Sequence, residues 1–213
     1  MKDNFEAIVD LGARSSLGST YLAGLEGIDT PDPHTVTVRF AEPNAQFLQA
    51  SSTMTLGFYA PETLAKSPEE RCTGDLVGTG PFTLADFSAS SGATLERFDD
   101  YRWPSSLAEH DGPAYLDGID FRVIPESGVR NGSLASGQID VDTAVQPQDE
   151  ELLEQSGFPL IERPNPGVNY SFFPNWSAGP FTDPRVRRAV NAAINREELT
   201  AVLSERQRPA TSV

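Results

Sequence analysis

Alternating apolar and polar residues predict the strands of this chain. Residues 35–40 alternate β-branched and polar side chains, which indicates a half-buried strand after a turn-rich lead at 27–34. Residues 82–87 and 93–98 flank a Ser/Gly turn and predict a β-hairpin. Short apolar runs predict two more strands at 160–163 and 168–175. The middle of the chain is therefore rich in short strands.

Spacing of three and four residues predicts the helices. The strongest pattern follows Asp183, which suits an N-cap, and Pro184, which suits the first helical position. Its apolar stripe predicts one buried face and comprises Val186, Ala189, Val190, Ala193 and Ile194. Further helices are predicted at 126–136, at 147–155, and after Asn195, where Glu198 completes a capping-box-like start.

Composition narrows the classes of function. The chain has 213 residues, long enough for one or two domains, and a formal net charge of −15. Such a charge repels phosphate backbones, so we expect no nucleic-acid partner. Cys72 is the single cysteine, so an internal disulfide and a thiolate metal cluster are both excluded. No run reaches the ~20 apolar residues of a membrane span.

The sequence lacks the residue patterns of catalysis. His34 and His110 are the two histidines, and neither has ligand-type spacing to a carboxylate or to the cysteine. No Gly-x-Ser-x-Gly elbow occurs. The acids at 149–151 suit the first turn of a helix better than a paired-carboxylate site. We expect no catalytic residues, no metal and no cofactor.

The glycine-rich stretch at 78–82 has two interpretations. A phosphate-binding loop is disfavoured, because the Lys and the spacing of a P-loop are missing and a strand follows instead of a helix. The stronger interpretation is a tight backbone path between two subdomains, with Pro81 fixing its exit. Trp103, directly after a turn, is predicted to be a structural anchor.

Several of these stretches carry a family resemblance. Asn175 followed by Pro180-Phe181-Thr182-Asp183 and the helix start at 185–189 resembles the signature of solute-binding protein family 5, the oligopeptide-, dipeptide- and nickel-binding receptors of bacterial ABC importers. The remaining stretches that resemble the family lie at 32–48, 76–82, 99–103, 115–125 and 136–141.

The resemblance implies a fold and a division of the chain. The fold is α/β, of the periplasmic-binding-protein-like type II kind, with a mixed sheet flanked by helices in a partial, truncated two-lobe architecture. Residues 115–125 and 139–141 become strands. Residues 1–72 become a satellite subdomain of the first lobe, 73–163 its mixed-sheet part, and 164–213 the crossover strand and the start of the second lobe. The resemblance begins inside the family pattern and stops before its end, which predicts an internal portion of a longer protein.

The resemblance also implies which residues contact ligand. The segment after the 139–141 strand contributes Thr143, Ala144 and Val145, and the crossover strand contributes Asn169, Ser171 and Phe173. Asn175 has a more structural role. Most of these side chains are small or apolar. This disfavours binding of a charged terminus of a peptide ligand by this part of the protein. Each could instead be an ordinary strand residue in a core.

The expected function is non-catalytic capture of a peptide-like or other organic solute in an interlobe cleft, for delivery to the permease subunits of an ABC importer. Family members are extracellular, in the periplasm or lipid-anchored at the outer face of the cytoplasmic membrane, and we expect a signal segment and any lipid anchor to lie outside this sequence. An α/β hydrolase or transferase domain with an unrecognised active site is the alternative, and a protein-interaction module is a third possibility.

Overall fold

The computed structural model describes residues 1–163 and 171–207. The chain divides into two compact units, Met1–Val123 and Ile124–Val213. The predicted division into 1–72, 73–163 and 164–213 concerns the lobes of a complete receptor, and it stays a prediction.

The first unit begins with a small helical layer packed on a two-stranded sheet. Antiparallel strands β1 and β2 pair Ile28 with Val38, and the side chain of Ile28 is buried. Around it lies a core of Phe5, Leu22, Ala50 and Leu56. The elements are helices α1 (Lys2–Leu11) and α2 (Ser16–Tyr21), strands β1 (Leu25–Asp32) and β2 (Thr35–Phe40), and helices α3 (Phe47–Ser51), α4 (Pro61–Leu64) and α5 (Pro68–Arg71).

Strand β1 was not predicted, because residues 27–34 contain the turn formers Gly27, Pro31 and Pro33. The predicted strand β2 supplies an edge of backbone donors and acceptors, and β1 pairs with it despite its weak strand propensity. The pairing is irregular between Leu25 and Gly27 and between Asp29 and Asp32. Tertiary pairing thus overrides local propensity here.

A second sheet of the first unit has three antiparallel strands in the order β3 (Phe82–Ser88), β4 (Gly92–Arg97) and β5 (Gly118–Arg122). This confirms the predicted hairpin and the strand within 115–125. Gly92 has a φ of +140°, and a Cβ atom there would lie 1.8 Å from the carbonyl oxygen of Phe121. Only glycine fits this position at the tip of the hairpin.

The glycine-rich stretch links the two layers of the first unit. Gly78 forms an isolated antiparallel bridge with Tyr59, and the amide of Val77 donates to the hydroxyl of Thr63 at 2.9 Å. The indole N–H of Trp103 donates to the carbonyl of Thr79 at 2.9 Å, but Trp103 is 54% exposed, so this residue holds the stretch by a hydrogen bond and not by burial. The stretch therefore serves as a docked connection, in keeping with the stronger interpretation.

The second unit is helical in its described part. It contains α6 (Ser127–Ala135), a 3₁₀ turn at Pro147–Asp149 leading into α7 (Glu150–Gln155), a 3₁₀ turn at Gly179–Thr182, α8 (Pro184–Ala193) and α9 (Arg196–Thr200). All four predicted helices are present. The carboxylate of Asp183 accepts from the amide of Arg185 at 2.8 Å, and the side chain of Asn195 accepts from Glu197 and Glu198. Both predicted N-caps are therefore confirmed.

Two predicted strands are wrong. Residues 139–141 and 160–163 form no strand. Of the predicted strand at 168–175, residues 168–170 lie outside the described residues, and 171–175 form no strand. A strand requires a neighbour for its backbone N–H and C=O groups, and the described residues supply no ladder at these positions. Every strand pairing among the described residues is antiparallel.

Candidate functional site

The predicted ligand segment Thr143–Ala144–Val145 lies in the loop between α6 and α7. Thr143 and Ala144 are exposed, and Val145 is half-buried. The carboxylate of Asp142 accepts from the amide of Ala144 at 2.8 Å, and the side chain of Gln146 donates to the carbonyl of Ala144 at 3.1 Å. Short-range bonds from both flanks therefore fix the middle of this loop.

Arg130, on α6, connects this loop to the rest of the unit. Its guanidinium donates to the carbonyl of Ala144 and to the carbonyls of Ile124 and Pro125, each at 2.8 Å. Its Nε lies 3.3 Å from a carboxylate oxygen of Asp142. One side chain thus joins the entry to α6, the helix itself and the ligand segment.

The Arg130–Asp142 ion pair is shielded from water. The side chains are 13% and 2% exposed, respectively. Removing one member of a buried pair leaves the other charge without compensation, at a cost of about 3–5 kcal/mol. The loop is therefore held more firmly than its irregular backbone suggests.

The bonds to Ala144 leave neighbouring peptide groups open. Within the described part of the chain, the backbone N–H and C=O groups of Thr143 and Val145 have no hydrogen-bond partner. Open peptide groups beside a fixed loop can pair with the backbone of an extended ligand, whereas those of Ala144 are already occupied.

The second predicted ligand segment surrounds residue 173. Ser171 is half-buried, and Phe173 is 79% exposed. Between them, Phe172 packs on Phe181 with ring centroids 5.7 Å apart. Ser171 and Phe173, which were predicted to share one side of a strand, thus differ in exposure, and no strand forms at 171–175. Their contact with ligand stays a prediction. Asn169 lies outside the described residues.

Arg187 holds the family signature in place. Its guanidinium carbon lies 5.1 Å from the ring centroid of Trp176, and its side chain donates to the carbonyls of Phe181 and Thr182. The side-chain oxygen of Asn175 accepts from the amide of Ser177 at 3.0 Å, which closes a local turn and fits its predicted structural role. The signature thus folds into a compact turn before α8.

Arg130 and Arg187 are the residues that sequence reasoning missed. Arg130 lies in a helix weakened by Gly128 and Gly132, and twelve residues separate it from Asp142. Arg187 lies off the apolar stripe of α8, so the pattern of that helix gives no sign of its contacts. Neither position has a local pattern that predicts a partner, so only the tertiary structure finds them.

The charged pair Asp183 and Arg185, two residues apart, shift each other's pKa. The guanidinium and amide of Arg185 lower the pKa of the Asp183 carboxyl below its ordinary value, and Asp183 raises the pKa of Arg185 in return. Among the described residues, no three His, Cys, Asp or Glu side chains converge as metal ligands. Their helices include none with the length and hydropathy needed to cross a bilayer.

Two shallow depressions lie in the first unit. One, of about 190 Å³, borders Asp86, Thr94 and Asp120, and the other, of about 210 Å³, borders Val9 and Leu25. Ligand pockets usually enclose about 300–1,000 Å³. Neither depression includes a predicted site residue, so the candidate site rests on the loop and the aromatic segment.

Solved structures define the class of fold. The chain is similar to the periplasmic binding protein DppA from Helicobacter pylori in complex with peptide STSA, with a TM-score of 0.69 and 24% identity over 94% of this chain and 40% of that one. It is also similar to MoaA from A. tumefacien R10 in complex with mannopinic acid, with a TM-score of 0.68 and 20% identity over 93% and 39%. These likenesses confirm the predicted α/β, type II periplasmic-binding-protein fold in partial form.

The chain belongs to the bacterial extracellular solute-binding proteins, family 5, whose middle-region model matches residues 1–213. The glutathione-binding protein GsiB of Salmonella paratyphi A is 27% identical over 184 residues, which are 85% of this chain and 34% of that protein. GsiB of Escherichia coli O1:K1 is 28% identical over the same shares. The chain thus spans about a third of the length of these curated relatives.

Proposed function

We propose that the whole protein is a non-catalytic receptor that captures a peptide-like organic solute outside the cell and delivers it to an ABC importer. The observation that carries this proposal is the loop at 143–145, whose centre is fixed by Arg130 and Asp142. The backbone N–H and C=O groups of Thr143 and Val145 have no partner among the described residues. A fixed loop with open peptide groups suits recognition of an extended backbone.

The relatives support a peptide-like ligand. GsiB is named as glutathione-binding, and DppA was solved with a four-residue peptide. Thr143, Ala144, Val145 and Phe173 carry no charge, so this portion recognises the backbone or uncharged side chains of the solute. Contacts with charged termini then come from residues elsewhere in the protein.

Location and partners follow from the same proposal. The family is extracellular, so the receptor works on the outer side of the cytoplasmic membrane. It is either free in the periplasm or lipid-anchored at the outer face of that membrane, and the permease subunits of the importer receive the loaded receptor. Asn169, Ser171 and Phe173 form the second ligand-contacting segment.

Binding by the purified whole protein tests the proposal. Isothermal titration with reduced glutathione, the tetrapeptide Ser-Thr-Ser-Ala and a mixture of di- and tripeptides is expected to give saturable binding at one site. A ligand at a hundred times its Kd adds about 2.7 kcal/mol to the stability of the folded state, so the same ligand raises the melting temperature. Mannopinic acid is titrated in the same way as the non-peptide comparison.

Turnover of ester, peptide or phosphate substrates by the purified protein would contradict the proposal and favour the hydrolase or transferase alternative. No contact among the described residues favours that alternative. The 213-residue chain alone is expected to bind these ligands weakly or not at all, because much of the ligand-enclosing surface lies outside it. Micromolar binding by residues 1–213 would contradict that expectation.

A further inference from the structure

We propose that Arg130 is the positioning residue of the ligand-binding loop, and that it sets ligand affinity without touching the ligand. The inference rests on the proposed function, since it assigns the loop at 143–145 a role in binding. Its basis is the set of bonds that one guanidinium makes to three separate backbone carbonyls and one buried carboxylate.

The first step of the argument is the division of labour within the loop. Ala144 has its N–H taken by Asp142 and its C=O taken by Arg130 and Gln146. The adjacent peptide groups of Thr143 and Val145 have no partner in the described part of the chain. Ala144 is thus the fixed point, and its two neighbours are the groups available to a ligand.

The second step is the dependence of that fixed point on Arg130. The side chain of Asp142 is 2% exposed, and Arg130 is the cation paired with it. If the guanidinium is removed, Asp142 has lost its counter-charge and Ala144 has lost its strongest donor. The loop then samples several conformations, and ligand binding must select one of them, which lowers the apparent affinity.

The third step is the geometry that only arginine satisfies. The planar guanidinium donates in several directions at once, toward Ile124, Pro125 and Ala144, with Nε facing Asp142. A lysine ammonium is a single point charge and cannot reach all four acceptors. Arg130→Lys therefore keeps the positive charge beside Asp142 but loses the hydrogen bond to the Ala144 carbonyl.

The experiment compares the whole protein with its Arg130→Lys and Arg130→Ala variants. A matched control is Arg206→Lys, because Arg206 lies in the same unit and pairs with Glu150 and Glu154 on α7. Three quantities are measured: the Kd for glutathione and Ser-Thr-Ser-Ala, the melting temperature, and hydrogen exchange of the Ala144 amide. Arg130→Ala is also titrated with millimolar guanidinium chloride, with sodium chloride as the salt control.

The Arg130 variants are expected to bind the probe about tenfold to a hundredfold more weakly and to exchange the Ala144 amide faster by a similar factor. Arg206→Lys is expected to leave the Kd for the probe and the exchange rate of the Ala144 amide unchanged, even if its melting temperature falls as much as that of the Arg130 variants. Free guanidinium is expected to restore affinity in Arg130→Ala by occupying the vacated site, which a general loss of stability would not allow.

Unchanged exchange at Ala144 in both Arg130 variants would overturn the inference, as would an equal loss of affinity in Arg206→Lys. If neither probe binds the unmodified protein, the proposed function fails, and exchange at Ala144 alone decides whether Arg130 holds the loop. If Arg130→Ala does not fold, Arg130→Lys supplies the same comparison.

Discussion

Asn4 gives the sharpest prediction for the stability of the first unit. Its side chain is 6% exposed and replaces a strand neighbour for Tyr59: Nδ2 donates to the Tyr59 carbonyl at 3.1 Å, and Oδ1 accepts from the Tyr59 amide at 2.7 Å. Tyr59 in turn bridges to Gly78. Asn4→Ala therefore disturbs the contact between α1 and the glycine-rich stretch.

The magnitude follows from the groups left behind. Each buried backbone group without a partner costs about 1–3 kcal/mol, and the substitution leaves two such groups at Tyr59. Both bonds are only partly buried, which favours the lower part of the range, about 2–4 kcal/mol for the pair. At about 1.4 kcal/mol for each factor of ten, the Tyr59 amide should exchange roughly 30- to 700-fold faster.

Native-state hydrogen exchange measures this directly. Asn44→Ala is the matched control, because Asn44 also makes two bonds through its amide but is only half-buried, and its bond to the Tyr21 carbonyl is longer, at 3.3 Å. Asn4→Asp keeps the acceptor for the Tyr59 amide and loses only the donor, so it should give an intermediate effect. Equal exchange at Tyr59 in all three variants would refute the reasoning.

Two further predictions concern a turn and a helix cap. Gly92→Ala should disrupt the pairing of β4 and β5, because its Cβ would meet the Phe121 carbonyl; Gly80→Ala, where no atom lies within 4 Å of that position, should leave the melting temperature unchanged. The pKa of Asp183 is lowered, so its support for α8 is fully present above the ordinary value of 3.8 and is lost as pH falls through the lower folded value. An NMR titration should give a midpoint below 3.8, and Asp183→Asn should abolish the pH dependence of the Arg185 amide over that range.

Much of the fold follows from local chemistry. The hairpin at β3 and β4, the strand β2 and the caps at Asp183 and Asn195 depend on neighbouring residues, and each was predicted. Strand β1 depends instead on pairing with β2, which its own glycine and proline do not indicate. The strands expected at 139–141, from the family resemblance, and at 160–163, from a short apolar run, fail for the opposite reason, since the described residues supply neither with a neighbouring strand.

The candidate site divides in the same way. Thr143, Ala144 and Val145 came from resemblance to the family, and the structure gives that segment a fixed centre and open flanks. Arg130, which fixes the centre, has no sequence signal because its partners are backbone carbonyls. Every residue has a backbone carbonyl, so a side chain that binds carbonyls requires no particular residue type in its partners. The partner positions therefore show no sequence pattern.

The apolar stripe of α8 leads to a final prediction. The sequence predicted a buried face, yet no residue of the helix is buried within the described chain, and Ala189 on the stripe is exposed. The chain spans about a third of its curated relatives, so we expect the stripe to be covered in the whole protein. Ala189→Glu should then change the stability of the 213-residue chain by no more than about 0.5 kcal/mol, but cost the whole protein about 3 kcal/mol or more by burying an unpaired charge. Ala192→Glu, the same change three residues on and off the stripe, should be mild in both, as measured by thermal denaturation. If Ala189→Glu proved equally mild in the whole protein, the stripe would be a solvent-facing surface and the helix would owe its position to its Asp183 cap and Arg187 alone.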